Sequence, residues 1–253
     1  MKLTNRPAWA DLATSDPAAA RDFYTKLFGW NIEVSEDPQY GGYATAKVGD
    51  QQVGGIGPKQ MAEQPTVWSL YIGTDDVVAL DKAVVAAGGT VISPAFAVGE
   101  QGSMAVYQDP IGAYVSAWQE GTMRSFLMNE AGALDWPELQ GRAVEKAVPF
   151  YQQIFGWTDA SSPMGPGMPD YHMLSLDDKH VAGALEMSSQ APAEMPSYWL
   201  LYFKVDDVDA AFAKAIANGA REISAPLDGF GQRFAVVMDP QGAIFGLVTP
   251  KGA

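Results

Sequence analysis

Eight residues near the amino terminus, Phe23-Tyr24-Thr25-Lys26-Leu27-Phe28-Gly29-Trp30, return almost unchanged 127 residues later as Phe150-Tyr151-Gln152-Gln153-Ile154-Phe155-Gly156-Trp157. A period of half the 253-residue chain is far longer than the ~20 to 50 residues of a solenoid repeat, so it reports duplication of a whole domain. Other stretches keep the register. Trp9-Ala10-Asp11-Leu12 returns as Trp136-Pro137-Glu138-Leu139, Asp75-Asp76-Val77 as Asp206-Asp207-Val208, and Asp109-Pro110-Ile111-Gly112 as Asp239-Pro240-Gln241-Gly242. Whatever the fold is, a half-length copy must be able to build it twice.

Within a copy, a second and looser repetition is legible. Residues 8–13 alternate as a short strand does. Asp16-Pro17 then opens a helix with proline in its first turn; Ala20, Phe23, Tyr24, Leu27 and Phe28 follow at helical spacing until Gly29 supplies a left-handed end. Three strands follow, at 30–35, 42–48 and 52–56, the last two joined at Gly49-Asp50. The same order restarts at 67–72. Asp75 or Asp76 caps a helix lined by Leu80, Ala83, Val84 and Ala87 and ended by Gly88-Gly89. Strands at 90–93, 104–108 and 113–118 come next, with a loop at 94–102 and a turn at Asp109-Pro110-Ile111-Gly112. The expected domains are residues 1–120 and 135–253, with a linker at 121–134. Pro149, in place of Asp22, predicts a shorter or bent helix in the second copy.

Composition narrows the function. There is no cysteine, which removes disulfides, thiolate nucleophiles and cysteine-based metal centres. A net charge of −14 repels phosphate backbones and anionic lipid, so neither nucleic acid nor membrane is an expected partner. No apolar run reaches the ~18 residues that cross a bilayer, and no secretory signal opens the chain, so the expected location is the cytoplasm.

Two strand-helix-three-strand units per copy, the Phe-Tyr-x-x-x-Phe-Gly-Trp helix, the paired-aspartate helix start and the Asp-Pro-x-Gly turn together resemble the glyoxalase, bleomycin-resistance and ring-cleaving dioxygenase superfamily, the vicinal oxygen chelate proteins. The resemblance covers nearly the whole chain. It implies an α+β fold of two tandem glyoxalase-like domains, each with an eight-stranded sheet curled around a cleft and helices outside. It also implies metal ligands on the cleft-facing strands, and there this sequence departs. Those positions correspond to Trp9, Ser69 and Ser116 in the first copy and Trp136, Leu200 and Gly246 in the second, and the remaining one falls near 54–56 or 183–185 with Glu186 the nearest carboxylate. None forms a ligand set for a divalent ion. The only histidines, His172 and His180, fall on neighbouring strands and are expected at the surface. No metal and no cofactor is expected.

By strand alternation, Asp11 faces the way Trp9 does, Tyr71 with Ser69, and Trp118 with Ser116; in the second copy Glu138 goes with Trp136, and Tyr202 with Leu200. The expected ligand-binding set is therefore Trp9, Asp11, Ser69, Tyr71, Ser116, Trp118, Trp136, Glu138 and Tyr202. Aromatic faces, hydroxyls and single carboxylates suit a planar aromatic or heteroaromatic small molecule, a drug or a secondary metabolite. The alternative for these residues is an ordinary core, with Asp11 and Glu138 paired to arginine, for instance Arg233, or to backbone groups. A second function, in the same clefts, makes Asp11 or Glu138 a catalytic proton carrier in an isomerase-, lyase- or hydroxylase-like step of biosynthesis. A third is an assembly protein with filled clefts. The chain is expected as a monomer or weak homodimer, and loops at 99–102 and 229–231 are expected over the cleft mouths.

Overall fold

A computed structural model describes residues 3–123, 126–165 and 167–250. The first copy runs β1 (Pro7–Thr14), α1 (Pro17–Phe28), β2 (Asn31–Val34), β3 (Ala44–Val48), β4 (Gln51–Pro58), β5 (Val67–Gly73), α2 (Val77–Ala86), β6 (Thr90–Val98), β7 (Gly102–Gln108) and β8 (Tyr114–Glu120). The second runs β9 (Leu134–Gly141), α3 (Val144–Phe155), β10 (Thr158–Pro163), β11 (Asp170–Leu176), β12 (Lys179–Glu186), β13 (Tyr198–Lys204), α4 (Val208–Ala217), β14 (Arg221–Gly229), β15 (Gln232–Met238) and β16 (Ile244–Pro250). Each copy forms one mixed, open sheet of eight strands, ordered β2-β3-β4-β1-β5-β8-β7-β6 and β10-β11-β12-β9-β13-β16-β15-β14. In each unit the first strand pairs in parallel with the last, and the other pairings are antiparallel hairpins. This is the α+β, tandem glyoxalase-like architecture that the motifs imply.

Local chemistry explains the helices. Asp16 Oδ1 accepts from the Ala19 N–H, Pro17 occupies the first turn, and Gly29 ends α1 at φ 74°. Asp76 and Asp207 cap α2 and α4 in the same way. The second copy has no such cap for α3, because Ala143 stands there; the Glu186 carboxylate reaches back and accepts from the Ala143 and Val144 N–H groups instead, at 2.9 and 3.1 Å. Pro149 does not shorten α3: both α1 and α3 have twelve residues. β6 also differs from expectation. It continues through Pro94 to Val98, pairing with β7 across two register shifts, and a proline is tolerated there because β6 is the edge of its sheet. The stretches at 99–102 and 229–231 are the tips of the β6–β7 and β14–β15 hairpins.

Compact units group the chain across the copies. One contains Met1–Trp9, Leu70–Arg124 and Pro137–Trp199; the other contains Ala10–Ser69, Ser125–Trp136 and Leu200–Ala253. In the second of these, α1 packs on β2, β4 and α4. Tyr24 is fully buried, stacks on Trp30 at 5.6 Å, and meets Trp68 edge-on. Its hydroxyl donates to Asp239 Oδ2 at 2.9 Å and accepts from Trp68 Nε1 at 2.9 Å, while Trp30 Nε1 donates to the Gly132 carbonyl. The other unit holds the counterpart. Tyr151 stacks on Trp157, donates to Asp109 Oδ2 at 2.9 Å and accepts from Trp199 Nε1, and Trp157 Nε1 donates to the Asn5 carbonyl. Each turn aspartate thus does two things: Oδ1 accepts from two backbone N–H groups of its own Asp-Pro-x-Gly turn, and Oδ2 takes a phenol from the opposite copy's helix.

Burial pushes the carboxyls of Asp109 and Asp239 above the usual carboxylate range, against the opposing effect of the donors around them. A pKa raised in the folded state means that folding takes up protons here. The contribution is fully present below the unfolded value of about 3.9 and is lost as pH rises through the raised folded values. Asp109→Asn combined with Asp239→Asn is therefore expected to lose stability more steeply on acidification from pH 6 to about 4 than the unaltered chain does. Urea midpoints across that range measure it, and parallel pH profiles would rule the assignment out.

Candidate functional site

The faces turned away from the helices are set by alternation. On β8, Gln119 accepts from the N–H of Val77 at the start of α2, which places Gln119, Ala117 and Val115 on the helix side and Trp118, Ser116 and Tyr114 on the open side. Tyr71 lies opposite Ser116 on the neighbouring parallel strand, and Gly73 lies opposite Trp118. On the other flank, β7 sets Val106 opposite Ser116 and Met104 opposite Trp118. Trp118 is 5% exposed, and its ring covers Gly102, where a Cβ would come within 2.6 Å of Cζ2. Its indole Nε1–H is buried and has no hydrogen-bond partner among the described residues. An orphan buried donor costs about 1–3 kcal/mol, and the residues directly across from Trp118 on the neighbouring strands are Met104 and Gly73. Ser116 is buried beside it.

The remaining first-copy residues follow the expected strands. Trp9 is buried, Asp11 and Ser69 are half-buried, and Tyr71 is buried. Asp11 stands opposite Gly55 on β4, and the Tyr43 ring lies along Gly55 and Gly57, filling the space their side chains would take.

The second copy repeats this trio with a larger acid. Glu138 stands opposite Gly183 on β12 and is 7% exposed. Its Oε2 accepts from the Tyr171 hydroxyl at 2.6 Å and its Oε1 from Gln140 Nε2 at 2.6 Å. Two short bonds hold both carboxylate oxygens in place. Tyr198, the first residue of β13, feels this charge: its phenol is pushed up to about 12 by burial and then by Glu138. Elsewhere in the second copy, Trp136 is half-buried, and Tyr202 is buried flat against Gly246, its partner on β16, and edge-on to Phe234.

Arg233 is not a partner for either acid as expected; it pairs with Asp209 and Asp228. His172 is not simply solvated. Its Nδ1 bonds Asp159 Oδ2 at 2.8 Å, and His180 bonds Ser175. Glu186, the carboxylate nearest a vacant ligand position, is occupied capping α3. Among the described residues no group of three or more His, Asp or Glu side chains is placed to hold a metal ion. The residues at the superfamily's ligand positions, aromatic, hydroxyl, aliphatic and glycine, do not fit a divalent cation. Tyr43, Gln140, Tyr171 and Tyr198 lie beside the candidate residues and were not among those named from the sequence. Gln140 and Tyr198 share their faces with Glu138 and Leu200 two residues away, so alternation alone could have found them; Tyr43 and Tyr171 required the cross-strand register.

The family model for the Glyoxalase/Bleomycin resistance protein/Dioxygenase superfamily matches this chain twice, over residues 6–116 and 133–247. The chain belongs to that superfamily. Among superfamily relatives, it is 40% identical over 251 residues to CFP32 of Mycobacterium tuberculosis (strain CDC 1551 / Oshkosh), which bears a glyoxylase name; the match covers 96% of this chain and 94% of CFP32. It is 34% identical to the anthracycline biosynthesis protein DnrV of Streptomyces peucetius, covering 96% and 92%. Superfamily structures share the fold: the 2,3-dioxygenase LapB from Pseudomonas sp. KL28 superposes with a TM-score of 0.70 at 18% identity over 100% of this chain and 94% of LapB. A Mn(II)-bound glyoxalase from Novosphingobium aromaticivorans gives 0.67 at 18% identity over 98% and 83%. No helix among the described residues is long and apolar enough to cross a membrane.

Proposed function

We propose that this protein binds a planar aromatic or heteroaromatic small molecule, a drug or secondary metabolite, on the open faces of its glyoxalase-like sheets and without a metal. The observation that carries the reading is the buried indole N–H of Trp118 on such a face, without an acceptor among the described residues. A ligand acceptor would satisfy it, and the Tyr71 and Trp118 rings nearby supply apolar contact. Two relatives named for anthracycline biosynthesis, DnrV and DauV, give the ligand class a direction: planar polycyclic compounds carrying carbonyl oxygens. Calorimetric titration with an anthraquinone is the test. Trp118→Phe keeps an aromatic ring in place of the indole, removes the donor and is expected to weaken binding about tenfold. Equal affinity in the variant would sink the reading.

A second reading has its own observation, the buried Glu138 held by Tyr171 and Gln140. Here Glu138 takes a proton from the bound molecule and returns it elsewhere, as a rearrangement or elimination requires. Glu138→Gln is then expected to keep affinity and abolish conversion of the ligand, followed by mass spectrometry of the product. Conversion that persists in this variant removes Glu138 from the chemistry.

A further inference from the structure

We infer that the second copy carries its own ligand site on the open side of β9, β11 and the start of β13, selective for an uncharged molecule with a carbonyl-type acceptor, in which Tyr198 reads the acceptor and Glu138 rejects anions. It rests on the small-molecule reading above and specifies the ligand chemistry of one place within it.

The placement follows from Trp199. Its Nε1 donates to Tyr151 on the helix side, so alternation along β13 turns Tyr198 to the opposite face. On β9 the buried Leu139 marks the helix side, and Glu138 and Gln140 face the other way with Tyr171 across from them. Tyr198 and Glu138 therefore share the open face, and Glu138's charge acts on the Tyr198 phenol.

The hydrogen-bond accounts of the three groups differ. The Tyr171 hydroxyl donates its hydrogen bond to Glu138, and Gln140 Nε2 donates one to the same carboxylate. Tyr198 makes no hydrogen bond to any described residue. Its phenol is protonated throughout the physiological range, since burial and the adjacent charge hold it up near 12. It is thus a donor without an acceptor among the described residues, half-buried on a face that otherwise offers an engaged carboxylate. A carbonyl, quinone or ether oxygen completes it. A carboxylate or sulfonate offers the same acceptor but brings a second negative charge next to Glu138 in a poorly hydrated place, where like charges repel more strongly than in water.

The experiment uses the full chain labelled with [ζ-13C]tyrosine, the Tyr198 signal being identified by its loss in Tyr198→Phe. Two probes carry the same ring carbonyls: anthraquinone-2-carboxamide, neutral, and anthraquinone-2-carboxylate, anionic. The carboxamide is expected to move the Tyr198 signal saturably, and the carboxylate to need at least about tenfold more. Glu138→Gln is expected to bring the two probes within about threefold of each other, and Tyr198→Phe to weaken the carboxamide at this site about tenfold while circular dichroism is unchanged. Heat of binding without movement of the Tyr198 signal overturns this site and leaves the general reading standing. A probe preference that Glu138→Gln does not narrow overturns the role of Glu138, and binding undiminished in Tyr198→Phe overturns that of Tyr198. Absence of binding by either probe overturns both this inference and the reading it rests on.

Discussion

Truncating Tyr24 to alanine is expected to destabilise the protein by about 3–5 kcal/mol, the cost of a large cavity in a closed aromatic core, with a further ~1–3 kcal/mol from the buried groups it leaves unpaired. The ring is fully buried among Phe23, Phe28, Trp30, Trp68 and Phe245, and its hydroxyl sits between a carboxylate and an indole N–H. Tyr24→Phe separates the two contributions. It keeps the packing and removes only the hydroxyl, so about 1–3 kcal/mol should be lost. Tyr151→Phe should behave alike, because Asp109 and Trp199 surround it in the same geometry. The two hydroxyls lie in separate units and share no partner, so the double substitution is expected to add within about 0.5 kcal/mol. Denaturant unfolding of the four variants measures this, and a Tyr24→Phe protein as stable as the unaltered one would refute the importance of the aspartate bridge.

Gly246→Val is expected to cost at least about 1–3 kcal/mol, as overpacking does, and to be partly rescued by Tyr202→Ala. A Cβ on Gly246 would stand 2.0 Å from Tyr202 Cδ1 and 2.5 Å from Cγ. Those atoms are at the root of the ring, so a small rotation of the side chain cannot relieve the clash, and Tyr202 is 9% exposed with Phe234 edge-on beside it. The ring must leave its place. Removing it first by Tyr202→Ala frees the volume, so the double variant should be more stable than the sum of the two single losses predicts. A double-mutant cycle with no coupling would show that Tyr202 moves freely.

The strength of the sequence lay in what is local and periodic. The Phe-Tyr-x-x-x-Phe-Gly-Trp repeat located both copies, and capping chemistry at Asp16, Asp76 and Asp207 located three of the four helix starts. It failed where a distant group substituted for a local one. Ala143 carries no cap signal, and the helix it opens is held by Glu186, 43 residues away. Pro149 looked disruptive on propensity, yet α3 keeps its twelve residues, most of them buried against the rest of its unit, which outweighs one missing bond. That Trp118 lies on a strand face turned away from the helices was legible because strands alternate. That the Trp118 N–H would find no acceptor among the described residues was not legible, since it depends on which groups the folded chain brings within reach.

The sequence by itself determined that there are two copies, each of two strand-helix-three-strand units, and that the superfamily's ligand positions hold residues that do not bind metals well. Only the tertiary structure decided what the most repeated residues are for. Tyr24 and Tyr151 read as one aromatic stripe in each copy, but each hydroxyl donates a hydrogen bond to a turn aspartate of the other copy, 215 and 42 residues away. The reason is physical: packing periodicity is written within a helix turn or a strand, whereas the partner of a buried hydroxyl is whichever acceptor the folded chain brings to it.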